Sequence, residues 1–278
     1  NDVNNQKAEV ILYRPTGESG DFEKANFPIG VEGGKTSTCP TQNLMEAYDM
    51  KDGTPFVWNN QSNPYDNRDP RMKYTIVCNE MKWPVDPVEI WEGGTNGLPL
   101  QNATTTGYYL KKYVNNTISF EAGSTVTKKQ HNWVLFRYGE ILLNYAEAMI
   151  NAFHDPNYKD AVYNMSAREA VNQIRGRTNI SLPGFPSDIT EKDFVKRLKN
   201  ERRVELAFEG HRFWDVRRWK ELGQTANIYG VKITKNNEVI SYEKFLLETR
   251  AVTDNMYFYP IPNTERFKNP NLGQNPGW

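Results

Sequence analysis

Glu205 and Glu209 stand one helical turn apart in the stretch ERRVELAFEGHRFWDVRRWK, residues 201–220. Two carboxylates about 5–10 Å apart across a cleft are what a glycoside hydrolase uses as its acid and its base or nucleophile. The arginines of the same stretch offer a second chemistry, a grip on nucleic acid. The local charge pattern argues against both. Arg202 lies one turn from Glu205, Arg212 one turn from Glu209 and Asp215, and Arg218 one turn from Asp215 and Glu221. Such intervals pair opposite charges on a helix, whereas a nucleic-acid helix gathers its basic residues on one exposed face. Val204, Leu206, Phe208, Phe213, Trp214 and Trp219 point around the whole helical wheel, the pattern of a buried helix. Buried Arg and Glu must be paired and hydrogen-bonded. The stretch is therefore read as scaffold. Removing Arg212 is expected to cost more than about 2 kcal/mol by leaving Glu209 and Asp215 underpaired.

Other reactive-looking patterns fail on spacing. VEGGKTS (31–37) has the Gly-Lys-Thr of a phosphate loop, but its leading glycine position holds Ile29, and Cys39-Pro40 bars the helix that should follow. GESG (17–20) is too short for a nucleophile elbow. His131, His154 and His211 are scattered with no HExxH, and Cys39 and Cys78 form no CxxC pair, so neither a metal nor a cofactor is expected. The two cysteines either stay thiols or join as a disulfide in an oxidising compartment. Basic and acidic residues balance at 34 each, which gives no general pull toward nucleic acid or an anionic membrane. The first ten residues hold no apolar signal-peptide core, which leaves the compartment open.

What remains is aromatic. Tyr13, Phe22, Phe27, Trp58, Tyr65, Trp83 and Trp91 sit in or beside polar, loop-rich sequence. Sugar rings present apolar C–H faces to aromatic rings, while Asn, Asp and Arg bind the hydroxyls. Trp83 and Trp91 flank WPVDPVEIW, whose prolines stiffen the loop and lower the entropy lost on binding. Trp58 stands beside Asn59, Asn60 and Gln61. Each ring could instead plug a small loop core. The ligand is placed on loops 13–38, 56–66 and 82–100, with at least one of Trp58, Trp83 and Trp91 exposed.

These residues need a frame. Residues 8–14 read as a strand and 15–40 as an irregular segment. Thr41 caps a short helix over 41–50. Residues 69–79 and 108–114 read as strands. From 133 the apolar spacing becomes helical: a long helix over 133–153, a helix opened by the Ser166/Glu169 capping box, and one opened by Thr190 with Asp193. Gly210 separates this last helix from HRFWDVRRWKEL. Residues 241–250 look helical, and the Pro- and Asn-rich C-terminus reads as an ordered coil. The expected division is a loop- and strand-rich, ligand-facing region over 1–132 and a helical scaffold over 133–278, together one domain.

Several stretches resemble one family in its own order: PTQNLMEAYDMKDGTP, NRDPRMKYTI, TGYYLKKY, FRYGEILLNYAEA, AVNQIRGR, ERRVELAFEGHRFWDVRRW and YPIPNTE with NPNLGQNPGW. The sequence resembles the SusD/RagB family of outer-membrane nutrient-binding lipoproteins of Bacteroidetes. The resemblance implies a mainly helical fold with irregular loops and a few short strands, part of a TPR-containing α–α superhelix whose N-terminal half is absent from this chain. It implies a binding protein without catalytic activity, taking a glycan or in some cases a peptide. It implies a lid on a SusC-like, TonB-dependent transporter, at the extracellular face of the outer membrane. A lipid anchor would belong to the full-length protein, since Cys39 and Cys78 are internal. The missing N-terminal half is an expected partner. In that family the 201–220 stretch is buried scaffold, while the binding aromatics lie in variable loops and match no motif. The reading is a glycan-binding protein first, a peptide-binding relative second, and a glycoside hydrolase using Glu205 and Glu209 third.

Overall fold

A computed structural model describes residues 9–59, 63–121 and 127–278. β1 (Val10–Ser19) pairs antiparallel with β4 (Lys129–Arg137), and the register slips around Pro15, which has no N–H to give the ladder. α1 (Asp21–Asn26) follows β1, so the segment expected to be irregular holds half of a strand and a helix. α2 (Gln42–Ala47) starts where Thr41 predicts, the hydroxyl accepting from the Leu44 N–H at 3.3 Å.

Residues 69–75 correct the sequence reading. They form α3 (Pro70–Thr75), because Asp69 accepts from the Arg71 N–H at 2.9 Å and Pro70 occupies the first turn, where its missing N–H costs nothing. Only Ile76–Val77 continue as β2, paired with β3 (Tyr109–Leu110).

The long helix expected from residue 133 begins at α4 (Tyr138–Phe153). Residues 133–137 instead complete β4, with Trp133 opposite Arg14 and Val134 opposite Tyr13. A short apolar run does not announce whether it is strand or helix, and here the pairing partner decides. α5 (Ala167–Arg175) carries the full capping box, Ser166 and Glu169 bonding reciprocally at 3.1 and 2.8 Å. α6 (Glu191–Glu205) opens on Thr190. Gly210, at φ 84°, takes the left-handed turn before α7 (His211–Arg218). Residues 241–249, expected to be helical, lie in β6 (Val239–Thr249), paired with β5 (Asn227–Asn236) across a tight turn in which Asn237 and Glu238 both have positive φ. α8 (Asn263–Lys268) lies on an otherwise coiled C-terminus, where the Trp278 indole donates to the Asn255 carbonyl at 2.9 Å.

Two apolar clusters organise these elements. One joins Met45, Tyr48, Met72, Ile76, Tyr108 and Tyr109 to Val231, Ile233 and Tyr242 of the β5–β6 hairpin. The other joins Leu143, Ala146 and Ile150 of α4 to Val171 and Ile174 of α5 and Phe194 and Leu198 of α6. The end of α6 belongs to both, through Val204 in the first and the following Leu206 in the second.

Candidate functional site

Glu201, Glu205 and Glu209 are locked, but by distant partners. Glu205 is held by Arg71 at 2.9 Å and by Arg137 and Arg177 at 2.8 Å. Glu201 meets Arg175 at 2.7 Å and also Arg71. Glu209 meets Lys112 at 2.6 Å and Arg137 at 2.7 Å. Burial alone would raise the Glu205 pKa; Arg137, Arg71 and Arg177 outweigh it and hold the carboxyl well below the usual carboxylate range. Glu209 is likewise lowered, burial being outweighed by Lys112 and Arg137. A general acid needs a raised pKa, so this pair has the opposite tuning from a glycosidase acid.

The local pairing expected from spacing holds only in part. Arg218 meets Asp215 at 2.9 Å. Arg202 turns to Asp215, at 2.9 Å, and not to Glu205. Arg212 donates to Gln224 at 2.9 Å and makes no ion pair with Glu209 or Asp215 among the described residues. The keystone is therefore Arg137 or Arg71, not Arg212. Nor is the stretch buried all round: Phe213 and Trp214 are 41% and 56% exposed, packed with Tyr259 at ring distances of 5.9 and 6.1 Å.

The aromatic candidates fall in several places. Phe27, Tyr65 and Trp83 are buried, at 1%, 7% and 6% exposure. Tyr65 meets Tyr108 and Tyr242 edge-on, and Lys111 Nζ stands 5.1 Å from the Trp83 ring centre. Phe22 is half-buried against His131 and Trp133. Tyr13 is exposed on β1. Trp58 is half-buried, with Phe56 edge-on to it; Asn60 and Gln61 lie outside the described residues. Trp91 is half-buried under Lys235, whose Nζ is 4.6 Å from the ring centre. None of Trp58, Trp83 and Trp91 is therefore exposed, contrary to expectation, because each ring packs in or against the first apolar cluster.

Of these, Trp83 lines a large cavity. It is about 700 Å³ and is walled by residues 30–32, 83–89, 95–96 and 116–121. The Trp83-Pro84 peptide is cis, and the turn closes by a hydrogen bond from the Trp83 N–H to the Asp86 carbonyl at 2.9 Å. Asn96 braces the facing wall, accepting from the Gly30 N–H at 2.8 Å. Asn115 shapes the third wall by accepting from the Thr117 N–H at 3.0 Å, and Phe120 packs edge-on to Phe27. Exposed Asn116 and Thr117 stand on the rim. Sequence reasoning missed residues 115–121, although an Asn-Asn-Thr run beside Phe120 carries the same polar-plus-aromatic signal as the loops it chose.

Among the described residues no group of three or more His, Cys, Asp or Glu side chains is arranged to hold a metal, and no helix is long and apolar enough to cross a membrane. Both cysteines are free thiols, with burial pushing Cys78 up to about 12.

The sequence pattern of the SusD family matches residues 9–278. The chain belongs to the SusD family. It is 29% identical over 163 residues to SusD-like protein P2 of Formosa agariphila, covering 56% of this chain and 28% of that one. It is 37% identical over 150 residues to SusD-like protein P38 of the same organism, covering 52% and 24%. The crystal structure of a SusD-like protein from Bacteroides fragilis superposes with a TM-score of 0.80 at 26% identity, over 99% of this chain and 55% of that one. The chain thus spans about half of that solved relative, and the matches cover about a quarter of the curated ones. In this SusD-family chain the stretches that carry the likeness hold the ion lattice: Arg71, Lys112, Arg137, Arg175, Glu201, Glu205 and Glu209 all lie in them. The walls of the 700 Å³ cavity lie outside them.

Proposed function

We propose that this chain is a non-catalytic glycan-binding protein of the cell surface. In the full-length protein it sits at the extracellular face of the outer membrane, lipid-anchored, and delivers an oligosaccharide to a SusC-like, TonB-dependent transporter. Membership of the SusD family supports the nutrient-binding part of this reading. The observation that carries the glycan part is the 700 Å³ cavity, whose volume lies in the range of about 300–1,000 Å³ typical of ligand sites. Its lining combines Trp83 and Phe120 with Asn96, Asn116, Thr117 and Glu89, the mixture of ring faces and hydrogen-bonding groups that a pyranose requires. Trp58, Trp91 and Tyr13 are proposed as further contacts for a chain longer than the cavity. The lowered pKa values of Glu205 and Glu209 favour binding over hydrolysis.

The test is electrophoresis through gels containing single polysaccharides, with reducing ends assayed in parallel. One glycan should retard the protein and release no new reducing ends. Asn116→Ala and Phe120→Ala should weaken that retardation several-fold, the effect of losing roughly 1 kcal/mol of contact. Full retention by both variants would remove the cavity from the reading. Retardation by no glycan, with retention of an oligopeptide, would favour the peptide-binding alternative.

A further inference from the structure

A second groove, about 450 Å³, runs along α6, and its charges do not balance. Lys192, Lys196, Lys199 and Arg203 recur at four- and three-residue intervals, which places them on one face of the helix. Arg197, also on α6, and Arg212 from α7 join them in the lining. Against these six cations the groove sets Glu46, Asp49 and Glu221. Each of the three is already engaged: Glu46 by Lys244 at 2.7 Å, Glu221 by Lys199 at 2.5 Å, and Asp49 by Arg175 and Arg197 at 3.6 and 3.8 Å.

Arg203 and Arg212 are left with neutral partners. Arg203 donates to the Asn43 carbonyl at 2.8 Å and Arg212 to the Gln224 side chain at 2.9 Å, with no carboxylate within 4.0 Å of either among the described residues. Burial, and then the Arg212 charge, push the Arg203 pKa down to about 10. Two partly desolvated guanidinium groups, the charge of Arg212 disfavouring that of Arg203, with Glu46, Asp215 and Glu221 acting on them without forming an ion pair, are an arrangement that an oxyanion relieves, and the planar guanidinium matches such groups in pairs of hydrogen bonds. Pro55, Phe56 and Val195 supply an apolar wall to the same groove, so the oxyanion would arrive on a body with an apolar face.

We propose that this groove binds an anionic saccharide unit, with Arg203 and Arg212 holding its carboxylate or sulfate group. The choice of a saccharide rests on the glycan reading above; the choice of an anion rests on the groove alone. The test uses the 278-residue chain and three probes, galacturonate, galactose 6-sulfate and galactose, at fixed ionic strength in sodium chloride. The readout is the side-chain Nε–H resonances of Arg203 and Arg212. One or both anionic sugars should shift them saturably, and galactose should not. A response to galacturonate alone identifies a uronate site, and to galactose 6-sulfate alone a sulfate-ester site. Arg203 also anchors the Asn43 carbonyl, so the variants are Arg212→Gln and Lys196→Gln. They should weaken binding about tenfold and two- to threefold, with thermal midpoints unchanged. Absence of saturable shifts with both anions, equal shifts with galactose, or undiminished binding by Arg212→Gln would each overturn the proposal. Retention of a neutral glycan in the gel assay would survive that result, so the two readings fail separately.

Discussion

Around α6, every carboxylate of Glu201, Glu205 and Glu209 is buried under guanidinium or ammonium groups drawn from α3, β4, α5 and the loops beside them. In the 700 Å³ cavity Asn116 and Thr117 are exposed, and the side chains of Asn96 and Asn115 brace the backbone turns of the walls. In the first region each of the three carboxylates is engaged by at least two cations of the chain itself. The second keeps polar side chains at an exposed rim. A run dense in Arg and Glu thus marks what holds this chain together, and a run of Asn, Thr and Pro lines the cavity proposed to meet the ligand.

Four measurements test that contrast. Arg137→Ala should be the most damaging change, costing on the order of 3–5 kcal/mol in urea unfolding, because it strips a partner from Glu205 and Glu209 at once. Glycan retention per folded molecule should not change; a stable but non-binding Arg137→Ala would make the lattice a site and erase the distinction.

Acid should attack the same region. The pKa values of Glu201, Glu205 and Glu209 are depressed in the fold, burial being outweighed by the neighbouring cations. The unfolded chain therefore binds more protons. The stability they contribute is complete above the unfolded value of about 4.3 and is lost as pH falls below it through the folded values. A urea midpoint that stays flat from pH 6 to pH 3 would contradict an ionised lattice.

Asn116→Ala probes the other region. It should weaken glycan retention about three- to tenfold while moving stability by less than about 0.5 kcal/mol, since the residue is exposed. Equal losses of stability and binding would mean that the cavity wall is scaffold too. Arg212→Ala should cost folding far less than Arg137→Ala, under about 1 kcal/mol, because the one hydrogen bond it loses is to Gln224. A loss as large as that of Arg137→Ala would restore the pairing read from local spacing.

Local signals were legible in the sequence and long-range ones were not. Thr41, Ser166 and Thr190 announce helix starts because a cap is a bond between a side chain and backbone two or three residues on. Residues 133–137 and 241–249 were misread because their state depends on β1 and β5, which no periodicity reveals. The burial and pairing of Glu205 were legible as a need, but its partners Arg71, Arg137 and Arg177 come from elsewhere in the chain. The cavity was half-seen: Trp83 and its proline turn were chosen, whereas residues 116–121 meet them only in three dimensions.

The end of α6, shared by both apolar clusters, bears on how the chain comes apart. Val204 packs in the first cluster and Leu206, two residues along the same backbone, in the second. The two clusters should then open as one cooperative unit rather than as successive steps. In native-state hydrogen exchange, the slowest amides of α3 and those of α4 should report the same opening free energy and fall together as denaturant is raised. Substituting Val204 and Leu206 together with alanine should separate them into two transitions, turning a single folding event into two.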